Sequence, residues 1–164
     1  MQLVIISGRS GSGKSTALNQ LEDEGYYCID NLPVSLLPAL VEETTREEFS
    51  QFRGTAVCID ARNAWKDLAG FADIVAALPD SVHRDILFLD AQDATLMQRF
   101  SETRRRHPLS GESTHLAEAI AKERLLLGPI SSDASLVLDT TQMTIYELRD
   151  AIKQRLLKNS SGTM

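Results

Sequence analysis

The residues best suited to chemistry lie near the amino end, where Gly8-Arg9-Ser10-Gly11-Ser12-Gly13-Lys14-Ser15 places three glycines ahead of a lysine and a hydroxyl. The spacing G-x-x-x-x-G-K-[ST] is the P-loop pattern, and it follows the apolar run Leu3-Val4-Ile5-Ile6 directly. Glycine takes backbone angles closed to other residues, so the loop can turn its N–H groups inward around a phosphate chain. A helix beginning near Lys14, with Ala17, Leu18 and Leu21 inward, would set the positive end of its dipole beneath the anion. Lys14 is then placed to reach the β- and γ-phosphates, and Ser15 to ligate Mg2+. The competing reading is a Gly/Ser-rich turn without function. It leaves the Lys-Ser pair, and its position between strand and helix, as accidents.

A P-loop needs an acidic partner for its metal, because the cation spreads phosphate charge only if it is itself held. Asp60 is assigned that place. It closes the strand-like run Thr55–Asp60 and leads into Ala61-Arg62-Asn63, where Arg62 could meet a phosphate and Asn63 could cap the next helix. Asp30 is the rival. After a second strand it could face an acceptor hydroxyl and act as base, or simply form an Asx-turn ahead of Pro33. Asp90 and Asp139 read as strand ends. In the basic cluster Arg104-Arg105-Arg106, Arg105 is the candidate to bring a planar guanidinium onto a transferring phosphate. The same cluster could touch an RNA backbone, or be no more than a solvated helix end. His83, His107 and His115 are scattered, and Cys28 and Cys58 lie in apolar runs without metal-ligand spacing, so the cysteines read as reduced core residues.

These side chains must be positioned by elements that the periodicity marks out. Strands are expected at Leu3–Ile6, Tyr26–Ile29, Thr55–Asp60, Asp85–Asp90 and Ser135–Asp139. Between them, helical spacing runs through Val34, Leu36, Leu37, Leu40 and Val41, and through Trp65, Leu68, Phe71, Ile74, Val75 and Leu78 up to Pro79. It returns through Leu96, Met97 and Phe100, and again through Leu116 to Leu127, where Gly128-Pro129 is expected to stop the helix. Thr144 and Glu147 have capping-box spacing ahead of Ile145, Leu148, Ile152 and Leu156. Strands apolar on both faces, alternating with helices, indicate an α/β three-layer sandwich around a five-stranded, mainly parallel sheet, with ligands beyond the strands' carboxyl ends. Residues 1–158 are expected to form one domain, and 159–164 a tail or cut linker.

Composition narrows the partners. With 164 residues and a net charge of -6, the chain lacks the basic balance of a broad nucleic-acid face, so any such contact must be local. No signal-like segment and no run of about 18 apolar residues is present, which predicts a cytoplasmic protein without a membrane partner.

Several stretches together resemble one family, the RapZ/YvcJ P-loop nucleotide-binding proteins: GRSGSGKS at Gly8 to Ser15, YYCIDNLP at Tyr26 to Pro33, IDARN at Ile59 to Asn63, FLDA at Phe88 to Ala91, ETRRRHPL at Glu102 to Leu109, and LVLDTT at Leu136 to Thr141. The resemblance implies a P-loop NTPase fold of kinase-like topology that binds ATP or GTP with Mg2+ and hydrolyses it weakly. Gly8 to Ser15 would hold ATP, and Asp60 to Asn63 would form a second, GTP-associated segment. It also implies a regulatory role, in which an RNase adapter delivers a small RNA to an endoribonuclease in control of glucosamine-6-phosphate synthesis, as a homo-oligomer in full-length form. Family members carry a further C-terminal domain, so the chain reads as an N-terminal domain. Two other functions stay open: a small-molecule kinase with Asp30 as base and residues 104–106 as lid, and a P-loop kept for structure alone.

Overall fold

The computed structural model describes residues 2–60, 68–103 and 116–157. Ala61, Arg62 and Asn63, the expected helix start at Trp65, the cluster Arg104 to Arg106 with its candidate Arg105, and the tail lie outside the described residues.

Five strands form a single sheet: β1 (Gln2–Gly8), β2 (Tyr27–Ile29), β3 (Thr55–Cys58), β4 (His83–Asp90) and β5 (Leu136–Asp139). Their spatial order is β2-β3-β1-β4-β5, and every pairing is parallel. The sheet is therefore wholly rather than mainly parallel. Around it pack α1 (Lys14–Asp23), α2 (Leu37–Thr44), α3 (Phe71–Ala76), α4 (Asp93–Thr103), α5 (Leu116–Leu126), α6 (Gly128–Asp133) and α7 (Ile145–Ile152).

The unbroken apolar runs follow from coverage on both faces. Side chains alternate across a strand, so Leu3 and Ile5 enter one core with Val57, Ile59, Ile86 and Phe88, beneath Leu37, Val41, Phe71 and Val75. Val4 and Ile6 enter the other, with Ala56, Cys58, Leu87 and Leu89, against Ala17, Leu18 and Leu21 of α1 and Leu148 and Ile152 of α7. Two parallel cores leave only the strand ends available to ligands. The Thr144–Glu147 capping box forms as its spacing predicts, with the Thr144 side chain accepting from Glu147 N.

Two expectations are corrected. Leu36 belongs to a 3-10 turn, Val34–Leu36, ahead of α2, and it is exposed instead of joining the apolar stripe. A 3-10 turn advances about three residues per turn, so the α-helical phase does not extend back through it. Gly128-Pro129 ends α5 but does not end helical structure. Proline is tolerated in a first turn, and here it starts α6, burying Ile130. Ile145, Leu148 and Ile152 lie in α7 as expected, with Leu148 and Ile152 buried and Ile145 exposed at its start.

Both cysteines are free, Cys58 buried and Cys28 half-buried. Burial, reinforced by the charge on Asp30, pushes the Cys58 thiol up to about 12, and burial with Glu22 pushes Cys28 up to about 11. At pH 8 a thiol titrating near 12 is ionised to only about one part in ten thousand. Iodoacetamide at pH 8 should therefore leave Cys58 unmodified in the folded protein and alkylate it readily in urea; mass spectrometry reads the difference, and rapid native labelling would contradict its place in the sheet.

Candidate functional site

The loop from Gly8 to Ser15 joins β1 to α1 at the carboxyl edge of the central strand. Its entry is governed by a close approach. A Cβ on Gly8 would stand 2.2 Å from Leu89 O and 2.7 Å from Ser12 Oγ, so the backbone comes nearer to β4 than any other residue would permit. At its exit Gly13 has φ 114 and packs its Cα side against Leu148. No side chain caps α1, so the N–H groups of its first turn and the positive end of its dipole are directed into the loop.

Lys14 arcs back across the loop and donates from Nζ to Gly8 O at 2.7 Å. Ser15, in the first turn of α1, is exposed. Asp60 is 5 % exposed, two residues past β3. The β1–β3 register pairs Ile6 with Cys58, and Ile59 N donates to Ile6 O, so continuing that register sets Asp60 beside Gly8. A hydroxyl and a carboxylate are the hard oxygen donors that Mg2+ takes, with phosphate and water completing its shell. Ser12 Oγ is buried with no hydrogen-bond partner among the described residues, a polar atom that a phosphate oxygen would satisfy. The donor set thus fits a metal-bound polyphosphate. Asp30 is exposed just beyond β2, followed by Asn31 at φ 54, a left-handed position that asparagine tolerates.

Arg9 takes a different place from its neighbours. Its side chain turns into the corner between β4 and α4, where Nε donates to Asp90 Oδ1 at 2.8 Å, Nη1 to Asp93 Oδ1 and Nη2 to Ala91 O. Burial alone would lower its pKa, but the hydrogen bonds and charges of Asp93 and Asp90 outweigh that and hold it above its ordinary value. Arg9 therefore anchors the loop through its side chain. Asp90, read from the sequence as a strand end, also accepts from Ala91 N. Asp139 does close its strand, accepting from Thr141 N and Oγ1, which holds its carboxyl below the usual range.

Three further residues hold the loop. Thr140 Oγ1 donates to Ser12 O at 2.7 Å. Arg99 on α4 donates to Gly11 O at 2.7 Å and, through Nη2, to Thr140 O at 2.6 Å. Glu123 on α5 accepts from both Ser10 N and Ser10 Oγ. None of the three has a local signal: Arg99 reads as a solvated helix residue, Glu123 as part of a helical stripe, and Thr140 as the polar end of a strand. Among the described residues no group of His, Cys, Asp and Glu forms a metal centre by itself, and no helix is long and apolar enough to cross a membrane.

A family profile described as the RapZ-like N-terminal domain matches residues 1–160. The chain is 55% identical over 158 residues to a "Nucleotide-binding protein" of Hahella chejuensis, covering 96% of this chain and 55% of that protein. It is 54% identical over 165 residues to one from Pseudomonas aeruginosa, covering 99% of this chain and 58% of that one. The chain thus spans little more than half the length of these relatives. Among solved structures, shikimate kinase from Acinetobacter baumannii superposes with a TM-score of 0.60 at 16% identity, covering 96% of this chain and 93% of that one, a likeness of fold. The five-stranded sheet with flanking helices is accordingly that of the P-loop kinases.

Removing the anchor should be measurable. Arg9→Ala leaves Asp90, Asp93 and Ala91 O facing one another around a void, and breaking a buried ion pair by deleting one partner costs about 3–5 kcal/mol; the exposure of Asp93 places the expected loss at about 2–4 kcal/mol. Arg9→Lys keeps the charge but not the fork, and should lose part of that. Urea unfolding gives the values, and a loss below about 0.5 kcal/mol, the level of an ordinary surface change, would remove the anchoring role.

Proposed function

Because the chain belongs to the RapZ-like N-terminal domain family, we propose that it is a nucleotide-binding regulatory domain, taking ATP or GTP with Mg2+ at Gly8 to Ser15. The single observation that carries this reading is the uncapped amino end of α1 behind a glycine loop that Lys14 spans. The name of the relatives supports it.

In this proposal the backbone N–H groups of Gly11, Gly13, Lys14 and Ser15 and the Lys14 ammonium bind the phosphate chain, while Ser12 N donates to Arg9 O and, with Arg9 and Ser10, holds the loop's first limb in place. Ser15 Oγ and the Asp60 carboxylate would hold magnesium, which when bound shares out the phosphate charge. Ala61, Arg62 and Asn63 would extend the nucleotide site beyond β3. Arg105 would bring a guanidinium to the terminal phosphate, and with no dedicated base in the assignment hydrolysis would be slow. The cellular role is that of an RNase adapter: full-length protein, as a homo-oligomer in the cytoplasm, presents a small regulatory RNA to an endoribonuclease in control of glucosamine-6-phosphate synthesis. The acidic balance of this chain supports placing the main RNA contact in the remainder of the protein.

A small-molecule kinase is the second reading, favoured by the exposed Asp30 at the carboxyl end of β2. The two are separated by incubating the protein with labelled ATP and a metabolite panel, where stoichiometric phosphorylated product would defeat the regulatory reading.

Two outcomes test the site. ATP or GTP with Mg2+ should raise the melting temperature, and Lys14→Ala should abolish that rise; unchanged stabilisation would remove the P-loop assignment. Asp60→Asn should lose the magnesium dependence of binding while Asp30→Asn keeps it, and equal loss in both would leave Asp60 without its role.

A further inference from the structure

Of the loop's three serines, two have hydroxyls that are provided for. Ser10 Oγ donates to Glu123 Oε2 at 2.6 Å, and Ser15 is exposed. Ser12 is fully buried, and among the described residues its Oγ has no hydrogen-bond partner. Its backbone is committed on both sides: Ser12 N donates to Arg9 O at 3.0 Å, and Ser12 O accepts from Thr140 Oγ1 at 2.7 Å. The turn therefore withdraws the Ser12 N–H from the donors that an anion could use. Only the hydroxyl remains.

That hydroxyl faces across the loop. It stands 2.7 Å from the place a Cβ on Gly8 would take, against the glycine whose carbonyl accepts from Lys14 Nζ. A buried hydroxyl without a partner has lost its hydration and gained nothing in exchange, a cost that alanine in its place would not carry. At a glycine loop ahead of a helix amino end, the acceptor suited to pair it is a phosphate oxygen. Ser7 supplies the comparison. It too is fully buried with an unpartnered Oγ among the described residues. Side chains alternate along β1, so Ser7 lies on the opposite face, with Leu3 and Ile5 and beside Phe88, in the core under α2 and α3.

Resting on the nucleotide site proposed above, we infer that the Ser12 side chain is a phosphate-binding group, a donor left unpaired in the empty loop and paired by the phosphate chain when nucleotide enters. The serine makes the empty loop less stable than alanine would and the occupied loop more stable. These two effects have opposite signs, which sets Ser12 apart from a residue that only packs. A P-loop cradles the α- and β-phosphates, so the contribution is the same for a diphosphate and a triphosphate and does not depend on the metal.

The test pairs thermal unfolding of the intact chain without nucleotide with calorimetric titration of ATP and ADP, each in Mg2+ and in EDTA, on wild type, Ser12→Ala and Ser7→Ala. Ser12→Ala should raise the melting temperature of the empty protein by about 2–4 °C and weaken ATP and ADP alike by about tenfold, in EDTA as in Mg2+. Ser7→Ala should give a similar rise with affinity unchanged. If empty Ser12→Ala melts at or below the wild-type temperature, or does not fold, the hydroxyl is paired without nucleotide and the inference is overturned. Unchanged affinity in Ser12→Ala, a loss confined to Mg2+, or an equal loss in Ser7→Ala would overturn it as well. A wild type that binds neither nucleotide would defeat the nucleotide site itself, whereas a wild type that binds while Ser12→Ala matches it would defeat only the role of Ser12.

Discussion

The backbone at Gly8 meets Leu89 O so closely that no side chain fits between them, and this contact sets where the loop can leave the sheet. A run of glycines and serines has many conformations open to it and loses more entropy on ordering than most sequences. Something must hold it open for an anion. Here the holding is done from outside: Arg9 is locked into the β4–α4 corner, Ser10 is bound by Glu123, Gly11 O by Arg99 and Ser12 O by Thr140. Four successive residues of the loop are each fastened to a different part of the chain. The N–H groups that follow, at the start of α1, are left to whatever the loop receives.

This division explains why the arginine inside the motif turns its side chain away to the β4–α4 corner. A guanidinium has five donors in a rigid fork, and at Arg9 that fork meets two carboxylates and a carbonyl. In the proposed site, positive charge for phosphate would come instead from Lys14, a point charge on a flexible stem. In this structure it rests on Gly8 O, the loop's own carbonyl. The arginine that anchors the loop and the lysine that spans it are chemically different residues for that reason.

The sheet and most helices were legible because burial on two faces writes itself into sequence as apolar runs, and because Thr144 and Glu147 cap α7 by a purely local rule. The loop was legible from its glycines, and the position of Asp60 just beyond β3 from the apolar run ahead of it. The sequence could not reveal what braces the loop. Arg99, Thr140 and Glu123 lie 88, 128 and 113 residues from the atoms they bind, and nothing nearby in the chain marks them. Leu36 and the helix opened by Pro129 were misread for a related reason: a 3-10 turn and a first-turn proline break the helical period without ending helical structure.

A kinase-like sheet does not by itself make a kinase, since transfer requires an acceptor held in line with the terminal phosphate. What the described residues provide around the loop is bracing: α4 through Arg99, α5 through Glu123, and the end of β5 through Thr140. Each is a mechanical link between phosphate occupancy and an element elsewhere in the fold. Under the proposed reading, occupying the loop would bias the positions of α4 and α5, and any shift in those helices would alter the loop in return, since coupling between two sites is reciprocal. On that reading, a nucleotide-binding domain braced in this way couples occupancy of the loop to the helices that hold it, with no requirement for phosphoryl transfer.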